Sequence, residues 1–206
     1  MRPEDWDARY AGAELVWSAG PNEFVAAEVE DRALVPGSAL DVACGEGRNA
    51  VWLAERGWQV TATDFSPVAL AKAHTLADAR GVALTTIEAD ATQPDAYPGS
   101  FDLVLVAYLH LPADALATAL GRAAQAVAPG GLLIAVGHDV DNLTDGVGGP
   151  PDPAVLWRAE EIVAALIGLT ALRAGQVSRV VGGGEGPATA IDTLVVATRP
   201  GPEDPA

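Results

Sequence analysis

Short apolar runs rich in valine, isoleucine and leucine alternate along this chain with stretches of helical periodicity. Apolar runs without a polar face are typical of parallel strands buried on both sides, and the segments between them are typical of helices. Strands are predicted at residues 39–43, 59–63, 83–88, 101–107 and 132–137. Helices are predicted at residues 49–55, 67–80, 113–127 and 159–167. This order predicts an α/β fold with a Rossmann-like doubly wound sheet.

The second predicted helix carries start and stop signals of its own. Ser66 is suited to the N-cap, and Pro67 to the first helical position. Gly81 fits a C-terminal cap, because glycine adopts the left-handed conformation that ends many helices. We therefore expect this helix to keep its predicted bounds.

The last forty residues break the alternation. Two β-rich runs, at 172–181 and 189–198, are separated only by VGGGEGPA. A connection this short permits an antiparallel hairpin and leaves no room for a crossover helix. The prediction is a seven-stranded sheet, mostly parallel, with an antiparallel hairpin at its C-terminal end.

A length of 206 residues predicts one compact domain. We assign residues 1–30 to an N-terminal helical lid, 31–199 to the body of the domain and 200–206 to a disordered tail. Residues 138–153 form a long irregular connection, and long connections are usually functional or flexible.

Composition narrows the possible partners. The chain has 12 basic and 28 acidic residues and a formal charge of -16, which would repel phosphate backbones. Nucleic acid is therefore a poor candidate, and we expect a small-molecule substrate bound by a monomer or homodimer. Cys44 is the one cysteine, so neither an internal disulfide nor a thiolate metal cluster is expected, and no metal is assigned.

Location is predicted from two further features. The apolar runs are far shorter than the roughly 20 residues that span a bilayer. The N-terminal run MRPEDWDARY is acidic where a secretory signal is basic. We expect a cytoplasmic protein without a membrane segment.

The segment LDVACGEGRNA places Gly45 and Gly47 between a buried strand and a helix, where backbone N–H groups can face a ligand. The glycine spacing alone is ambiguous, because with Ala50 it also matches nicotinamide and flavin binding. Asp41, at the end of the strand, helps to decide. Its carboxylate would repel a pyrophosphate but suits a ligand with an ammonium and a sulfonium, as S-adenosylmethionine has. The alternative for Asp41 is a carboxylate that stabilises the loop.

Two more acids follow the next strands. Asp64 ends the second strand, 19 positions after Gly45, where a carboxylate can accept hydrogen bonds from ribose hydroxyls. Asp90 follows the third strand and can hold an adenine amino group. The alternative for Asp64 is an acid that caps the following helix, and the alternative for Asp90 is a solvated acid in a loop. Together with Asp41 they place acids after three successive strands, which favours an adenosine ligand.

The series LDVACGEGRN, VTATDFS, EADAT, FDLVLVAYLHL and VAPGGLLIAV resembles the ordered motifs of class I S-adenosylmethionine-dependent methyltransferases. The resemblance covers residues 38–198. GEGRNAVWLAERGWQVTATDFS, with WDARY near the N-terminus, most resembles small bacterial methyltransferases of the tellurite-resistance type. Arg48 and Asn49 match a run that lies near the methionine carboxylate in this family. Cys44, preceded by Ala43, departs from the glycine that many relatives carry.

The resemblance implies a set of cofactor-binding residues. Asp41 and the glycine loop would surround the methionine part, Asp64 would bind the ribose, and Asp90 with Ala91 would bind the adenine. The set expected to bind S-adenosylmethionine, with S-adenosylhomocysteine as product, is Trp17, Asp41, Ala43, Gly45, Gly47, Arg48, Asn49, Asp64, Phe65, Asp90, Ala91 and Ala107.

Methyl transfer from a sulfonium is an in-line displacement, so alignment and exclusion of water supply much of the catalysis. A thiol or selenol acceptor needs no dedicated base, whereas a phenol or alcohol benefits from one. His110 and His138 follow the fourth and fifth strands and are the candidate bases. Both can instead be polar loop residues that bond nearby backbone. The acceptor atom is left open among sulfur, selenium, tellurium, nitrogen and oxygen.

Aromatic residues before the first strand, Trp6, Tyr10 and Trp17, precede the sheet as a lid would. Their rings can face a sulfonium or simply pack an N-terminal helix on the sheet. Tyr108 can likewise lie against the cofactor or in the core. The sequence therefore predicts a methyltransferase that acts on a small, uncharged or cationic molecule. The alternatives are a nicotinamide-dependent oxidoreductase and a non-catalytic protein that binds the same cofactor.

Overall fold

The structure of the chain, a computed structural model, describes residues 3–12, 15–16, 20–94, 96–182 and 188–201. Its elements are, in order, α1 (Pro3–Tyr10), α2 (Glu23–Asp31), β1 (Ser38–Val42), α3 (Arg48–Glu55), β2 (Gln59–Asp64), α4 (Pro67–Arg80), β3 (Thr85–Glu88), β4 (Phe101–Ala107), α5 (Ala113–Gln125), β5 (Val127–His138), α6 (Asn142–Asp145), a 3₁₀ helix (Pro153–Val155), α7 (Ala159–Ala165), β6 (Thr170–Val181) and β7 (Ala188–Thr198). None of the helices within these ranges is long and apolar enough to cross a membrane.

The strands form one seven-stranded sheet in the order β3-β2-β1-β4-β5-β7-β6. Strands β1 to β5 pair in parallel, and β7 is antiparallel to both β5 and β6. The predicted Rossmann-like sheet with a C-terminal antiparallel hairpin is confirmed. Because β7 runs antiparallel to both β5 and β6, β6 has the same direction as the parallel strands. The end of β6 and the start of β7 therefore lie at the edge of the sheet where the parallel strands end.

Helices cover both faces of the sheet. Leu40 and Val104 belong to a buried cluster on the face of α5 and α7, while their strand neighbours Ala39 and Leu103 belong to a cluster on the face of α2 and α3. Side chains alternate between the two faces of a strand, so a sheet covered on both faces requires apolar residues at every position. This double burial explains why the strands read as continuous apolar runs.

Helix α4 keeps its predicted bounds and both of its predicted caps. The backbone N–H of Ala69 donates to Oγ of Ser66, and Pro67 occupies the first helical turn. Gly81 ends the helix at φ +68°, in the left-handed region that favours glycine.

Four predicted boundaries need correction. Helix α5 ends two residues early and β5 begins at Val127, because Val127 pairs with Phe101 ahead of the Pro-Gly-Gly run at 129–131. Strand β3 is shortened to four residues. Helix α7 ends at Ala165, because Leu166 leaves the helical region with ψ +57°.

The connection at residues 138–153 is more regular than predicted. It contains the short helix α6, and Asn142 within that helix is buried. The Asn142 side chain donates to the carbonyl of Gly148 at 2.8 Å and accepts from the backbone N–H of Ile191 at 2.7 Å. These bonds fasten the connection to β7.

The N-terminal region contributes two helices of different character. Helix α2 packs into the core through Val25 and Val29 and starts at Asn22, whose side chain accepts from two backbone N–H groups. Helix α1 lies against α4. The assignment of residues 1–30 to a lid stays a prediction, and most of the proposed tail lies outside the described residues.

Candidate active site

A pocket of about 310 Å³ opens at the edge of the sheet where β1, β4, β5 and β6 end. Helix α1 and the segment before α2 form its opposite wall. Open α/β sheets bind ligands at this edge, because the loops after the strands converge there. Among the predicted cofactor-binding residues it is lined by Asp41, Ala43, Gly45, Arg48, Asn49 and Ala107. Both candidate bases, His110 and His138, line it as well.

The loop after β1 requires its glycines. Ala43, Gly45 and Gly47 all have positive φ, at +52°, +55° and +79°. A Cβ on Gly47 would lie 2.7 Å from Cβ of Ala73 in α4, and one on Gly45 would lie 3.0 Å from the Tyr10 hydroxyl in α1. Glycine is needed at these two positions both for the backbone conformation and for the close approach of two helices.

Asp41 is 1% exposed at the floor of the pocket, and neither of its carboxylate oxygens has a well-formed hydrogen bond with a described residue. Burial raises the pKa of Asp41 to about 7, against the opposing influence of the Ala50 backbone and the Arg48 guanidinium. A buried carboxylate without partners is costly, and a cationic ligand group offsets that cost. The residues present therefore fit a ligand that carries a positive charge above Asp41.

Asp64 lies beside this pocket without lining it. Its carboxylate accepts the backbone N–H groups of Gly45 and Ser66, each at 2.9 Å. Burial raises the pKa of Asp64, and these two hydrogen bonds work against the rise. Asp64 thus shapes the glycine loop, and its assignment to ribose binding stays a prediction.

The remaining predicted cofactor residues lie away from the pocket walls. Asp90 is exposed and accepts from the backbone N–H and the hydroxyl of Thr92 at 2.8 and 2.7 Å. Phe65, Ala91 and Gly47 also do not line the pocket. Nothing in this geometry tests their contact with adenine or ribose, and those assignments stay predictions.

Two aromatic rings of α1 line the pocket. Trp6 and Tyr10 stack with their ring centroids 5.6 Å apart, and Tyr10 is buried. The side chain of Asp7 in the same helix accepts the Ser66 hydroxyl and so ties α1 to the start of α4. Trp17, the third predicted aromatic, lies outside the described residues.

The two histidines lie face to face. The rings of His110 and His138 are nearly parallel, with centroids 5.5 Å apart. Burial lowers the pKa of His110 to about 4, and the neighbouring His138 and Arg9 act in the same direction. His110 is therefore a neutral ring at physiological pH.

A fully buried carboxylate, Asp192 of β7, lies next to these rings. One oxygen, Oδ2, accepts from Nε of Arg179 at 2.7 Å and from the Tyr108 hydroxyl at 2.8 Å. The other, Oδ1, lies 3.0 Å from Nδ1 of His138, within ion-pair distance but not aligned as a hydrogen bond. Burial opposes ionisation of Asp192, but its polar contacts outweigh burial and leave its pKa below the ordinary value.

Tyr108 connects this cluster to the N-terminal wall. Its hydroxyl accepts from the side chain of Asn22 at 3.2 Å, and the backbone N–H of Asn22 donates to Oδ1 of Asn49 at 2.9 Å. Tyr108 has φ +57°, a strained conformation for a residue with a bulky side chain. Burial, followed by the influence of Asp192, raises the pKa of Tyr108, so the phenol stays protonated.

Sequence reasoning did not identify Asp192, Arg179 or Asn22 as site residues. A signal for Asp192 exists in the run AIDTLVV, where an acid interrupts an otherwise apolar strand. Buried charges occur where they are paired, so such an acid indicates a functional or structural partner. No comparable signal exists for Arg179, which lies on a strand of mixed polarity. Across the described part of the chain, no three His, Cys, Asp or Glu side chains converge as a metal site requires.

Known proteins share part of this sequence. Residues 39–131 match a family described as methyltransferase domain. A demethylmenaquinone methyltransferase of Thermus thermophilus is 38% identical over 125 residues, which cover 60% of this chain and 54% of that protein. A 2-heptyl-1-hydroxyquinolin-4(1H)-one methyltransferase of Mycobacteroides abscessus is 28% identical over 137 residues, covering 65% of this chain and 60% of that protein. The alignments thus span less than two thirds of these relatives.

Solved structures share the fold over nearly the whole chain. A protein studied for the conversion of a disulfide bond into a thioacetal group in echinomycin biosynthesis superposes with a TM-score of 0.79 at 23% identity, over 99% of this chain and 94% of that one. TehB from Haemophilus influenzae superposes with a TM-score of 0.70 at 15% identity, over 97% of this chain and 68% of that one. Both likenesses concern the fold.

Proposed function

We propose that the chain is a class I S-adenosylmethionine-dependent methyltransferase, and that it transfers the cofactor's methyl group to a small-molecule acceptor in this pocket. The observation that carries the proposal is the buried carboxylate of Asp41 below the glycine loop. It lies inside the matched methyltransferase domain, and it calls for a cationic ligand.

Each residue proposed to bind the cofactor has a role that follows from its chemistry. Asp41 would oppose the cationic methionine end, while Arg48 and Asn49 would hold its carboxylate. S-adenosylmethionine, when bound, supplies a methyl group on a sulfonium that is a good leaving group. Asp64 would hold the loop in shape and accept from the ribose, and Asp90 with Ala91 would bind the adenine.

Two features of the chain suit the transfer itself. Trp6 and Tyr10 line the pocket and would exclude water from the reacting atoms, with Trp17 expected to join them. His110 and His138 lie at the other end, where a base would take a proton from the acceptor. The neutral, weakly basic ring of His110 favours His138 for that role. The names of the two methyltransferase relatives also support a small organic acceptor.

The alternatives predict different ligands. A nicotinamide-dependent oxidoreductase would place a pyrophosphate near the glycine loop, and the carboxylate of Asp41 would repel it. A non-catalytic protein would bind S-adenosylmethionine and release no product.

Calorimetry tests the proposal. We expect saturable binding of S-adenosylhomocysteine to the full chain, and Asp41→Asn should weaken it roughly 10- to 100-fold, or about 1.4–2.8 kcal/mol. Asp102→Asn is the matched control, because Asp102 is an exposed acid that accepts from Ser38 away from the pocket. Absence of binding at millimolar ligand would refute the proposal. Tight binding of NADH without competition from S-adenosylhomocysteine would favour the oxidoreductase.

A second assay measures turnover. Release of S-adenosylhomocysteine would be followed across thiols, chalcogen oxyanions, phenols and amines. Turnover with any of them separates the enzyme from a non-catalytic binding protein. We further propose that the protein is cytoplasmic, acts as a monomer or homodimer, and does not bind nucleic acid, because its charge of -16 opposes contact with phosphate backbones.

A further inference from the structure

We propose that Asp192 positions His138 as the general base of this site, and that the pair, together with Arg179, selects an acceptor with a weakly acidic hydroxyl, such as a phenol or enol. The inference rests on the proposed methyl transfer and names the acceptor class for it. It comes from three contacts around one buried carboxylate.

The contact with Asp192 favours one tautomer of His138. Nδ1 lies 3.0 Å from Oδ1 of Asp192, and neither atom has another partner among the described residues. An ionised carboxylate can only accept, so this contact favours the proton on Nδ1 and the lone pair on Nε2. His138 lines the pocket, which leaves Nε2 as the nitrogen available to a ligand. A catalytic contact that is misaligned without ligands commonly tightens when the complex forms.

The same contact sets His138 apart from His110. Within the described ranges, no ion pair joins a carboxylate to His110, and Nε2 of His110 is buried there without a partner. A proton on His110 would face the neighbouring ring of His138 and the charge of Arg9, and the opposing influence of Asp192 is weaker than either. Nδ1 of His138 instead lies 3.0 Å from the buried carboxylate of Asp192. The base of the pair is therefore His138.

Arg179 and the rings beside it favour one class of acceptor. Arg179 contacts Asp192 through Nε and lines the same pocket. Its remaining N–H donors suit an oxyanion. The Tyr108 and His110 rings beside it provide flat walls. A base, a cation and flat walls together suit a hydroxyl on a planar, unsaturated carbon.

The reaction balances with these groups. The acceptor O–H gives its proton to Nε2 of His138, and the oxygen forms a bond to the methyl carbon. The bond from that carbon to sulfur breaks, and its electron pair stays on sulfur in S-adenosylhomocysteine. The proton leaves the imidazolium to solvent after the products depart.

A ternary complex of the full chain with S-adenosylhomocysteine and 4-nitrophenol tests this site without turnover. The phenol and phenolate absorb at different wavelengths, so a pH titration reports ionisation of the bound probe. We expect the half-ionisation pH of bound 4-nitrophenol to fall by about one unit or more relative to free probe. 4-Nitroaniline, which has the same shape and no acidic hydroxyl, should bind at least ten times more weakly.

Variants show which side chains cause the shift in the half-ionisation pH of bound 4-nitrophenol. Among the described residues, His138 is contacted by Tyr108 and His110 after β4 and by Asp192 of β7, and Arg179 of β6 contacts the same carboxylate. Asp192→Asn and Arg179→Gln should each abolish the shift, Asp192→Glu should restore part of it, and the distant Asp102→Asn should leave it unchanged. If Asp192→Asn does not fold, His138→Gln makes the same test while the carboxylate keeps its bonds to Arg179 and Tyr108.

The outcomes are separable. Binding of S-adenosylhomocysteine without 4-nitrophenol binding, or a shift that persists in Asp192→Asn, overturns the acceptor site and leaves the methyltransferase proposal standing. Failure to bind S-adenosylhomocysteine removes both. With any phenol that turns over, Asp192→Asn should lower kcat by roughly 10²–10⁴-fold and change its pH profile, which a purely structural role would not do.

Discussion

The backbone N–H of Gly45 donates to Oδ2 of Asp64 at 2.9 Å, so the acid that ends β2 fixes the loop that follows β1. The same carboxylate accepts from Ser66 at the start of α4 through its other oxygen. One buried side chain thereby joins two neighbouring loops. Any ligand held by the glycine loop depends on Asp64 even without touching it.

Replacing Asp64 with asparagine should therefore destabilise the protein before any ligand is added. The amide has one acceptor oxygen for two buried N–H groups, and an unsatisfied buried donor costs about 1–3 kcal/mol. Urea unfolding of the ligand-free chain measures this loss. Asp90→Asn is the control, because Asp90 is exposed and makes a similar local turn with Thr92; we expect it to change stability by less than about 0.5 kcal/mol. Equal losses in both variants would contradict the role of Asp64.

Gly47→Ala should be more damaging than Gly81→Ala. Both glycines have positive φ, but a Cβ on Gly47 meets Ala73 at 2.7 Å whereas one on Gly81 meets nothing within 4 Å. We expect a cost of about 1 kcal/mol for the backbone at Gly81 and about 2–4 kcal/mol at Gly47, where overpacking adds to strain. Thermal and urea unfolding compare them. Adding Ala73→Gly to Gly47→Ala should recover part of the loss, and failure of this rescue would argue against the clash.

Asp41→Asn should raise stability at alkaline pH. The folded pKa of Asp41, about 7, exceeds its ordinary value of 3.8, so the native state holds the extra proton between these pH values. Stability contributed by this group is full at low pH and is lost as pH rises toward and past 7. Removing the charge should recover on the order of 2–4 kcal/mol at pH 8. Urea unfolding from pH 4 to 8 measures it; an unchanged or steeper fall in stability would count against a buried, partnerless charge.

His110 should change the stability of the protein with pH in the opposite direction to Asp41. Its folded pKa of about 4 lies below the ordinary 6.5, so the unfolded chain binds the proton more readily. This group therefore lowers stability as pH falls from about 6.5 to 4. His110→Phe should remove a loss on the order of 1–3 kcal/mol at pH 4. His74→Gln, at an exposed histidine of α4, is the matched control substitution.

Because the two groups titrate in overlapping ranges with opposite signs, their contributions partly cancel in the parent protein. The single variants should show steeper dependence on pH than the parent between pH 4 and 6.5. The Asp41→Asn, His110→Phe double variant should return to a shallow profile.

The fold was predictable because its physical cause is local. Helices on both faces of the sheet force apolar residues at consecutive positions, and the hairpin is set by a connection too short for a helix. The boundary at Val127 was missed because its pairing with Phe101 is made across 26 positions, ahead of a Pro-Gly-Gly run that looks like a strand breaker.

The site was predictable only in part. Asp41 and the glycine loop lie within one short segment, so their closeness in the sequence already predicts that they are close in the structure. Asp192 meets His138 only through the register of β5 with β7, and Arg179 joins them through the register of the hairpin. Strand patterns give the face of a residue but not its partner on the next strand, so these contacts needed the structure.

The matched domain ends at residue 131, while His138, Arg179 and Asp192 all follow it. Under the proposed assignment, substitutions in β5, β6 and β7 can alter the general base and its partners while the glycine loop and Asp41 stay unchanged. New acceptors could then be selected by changing the C-terminal strands, whereas Tyr108 and His110, the other walls of the proposed acceptor site, lie inside the matched domain.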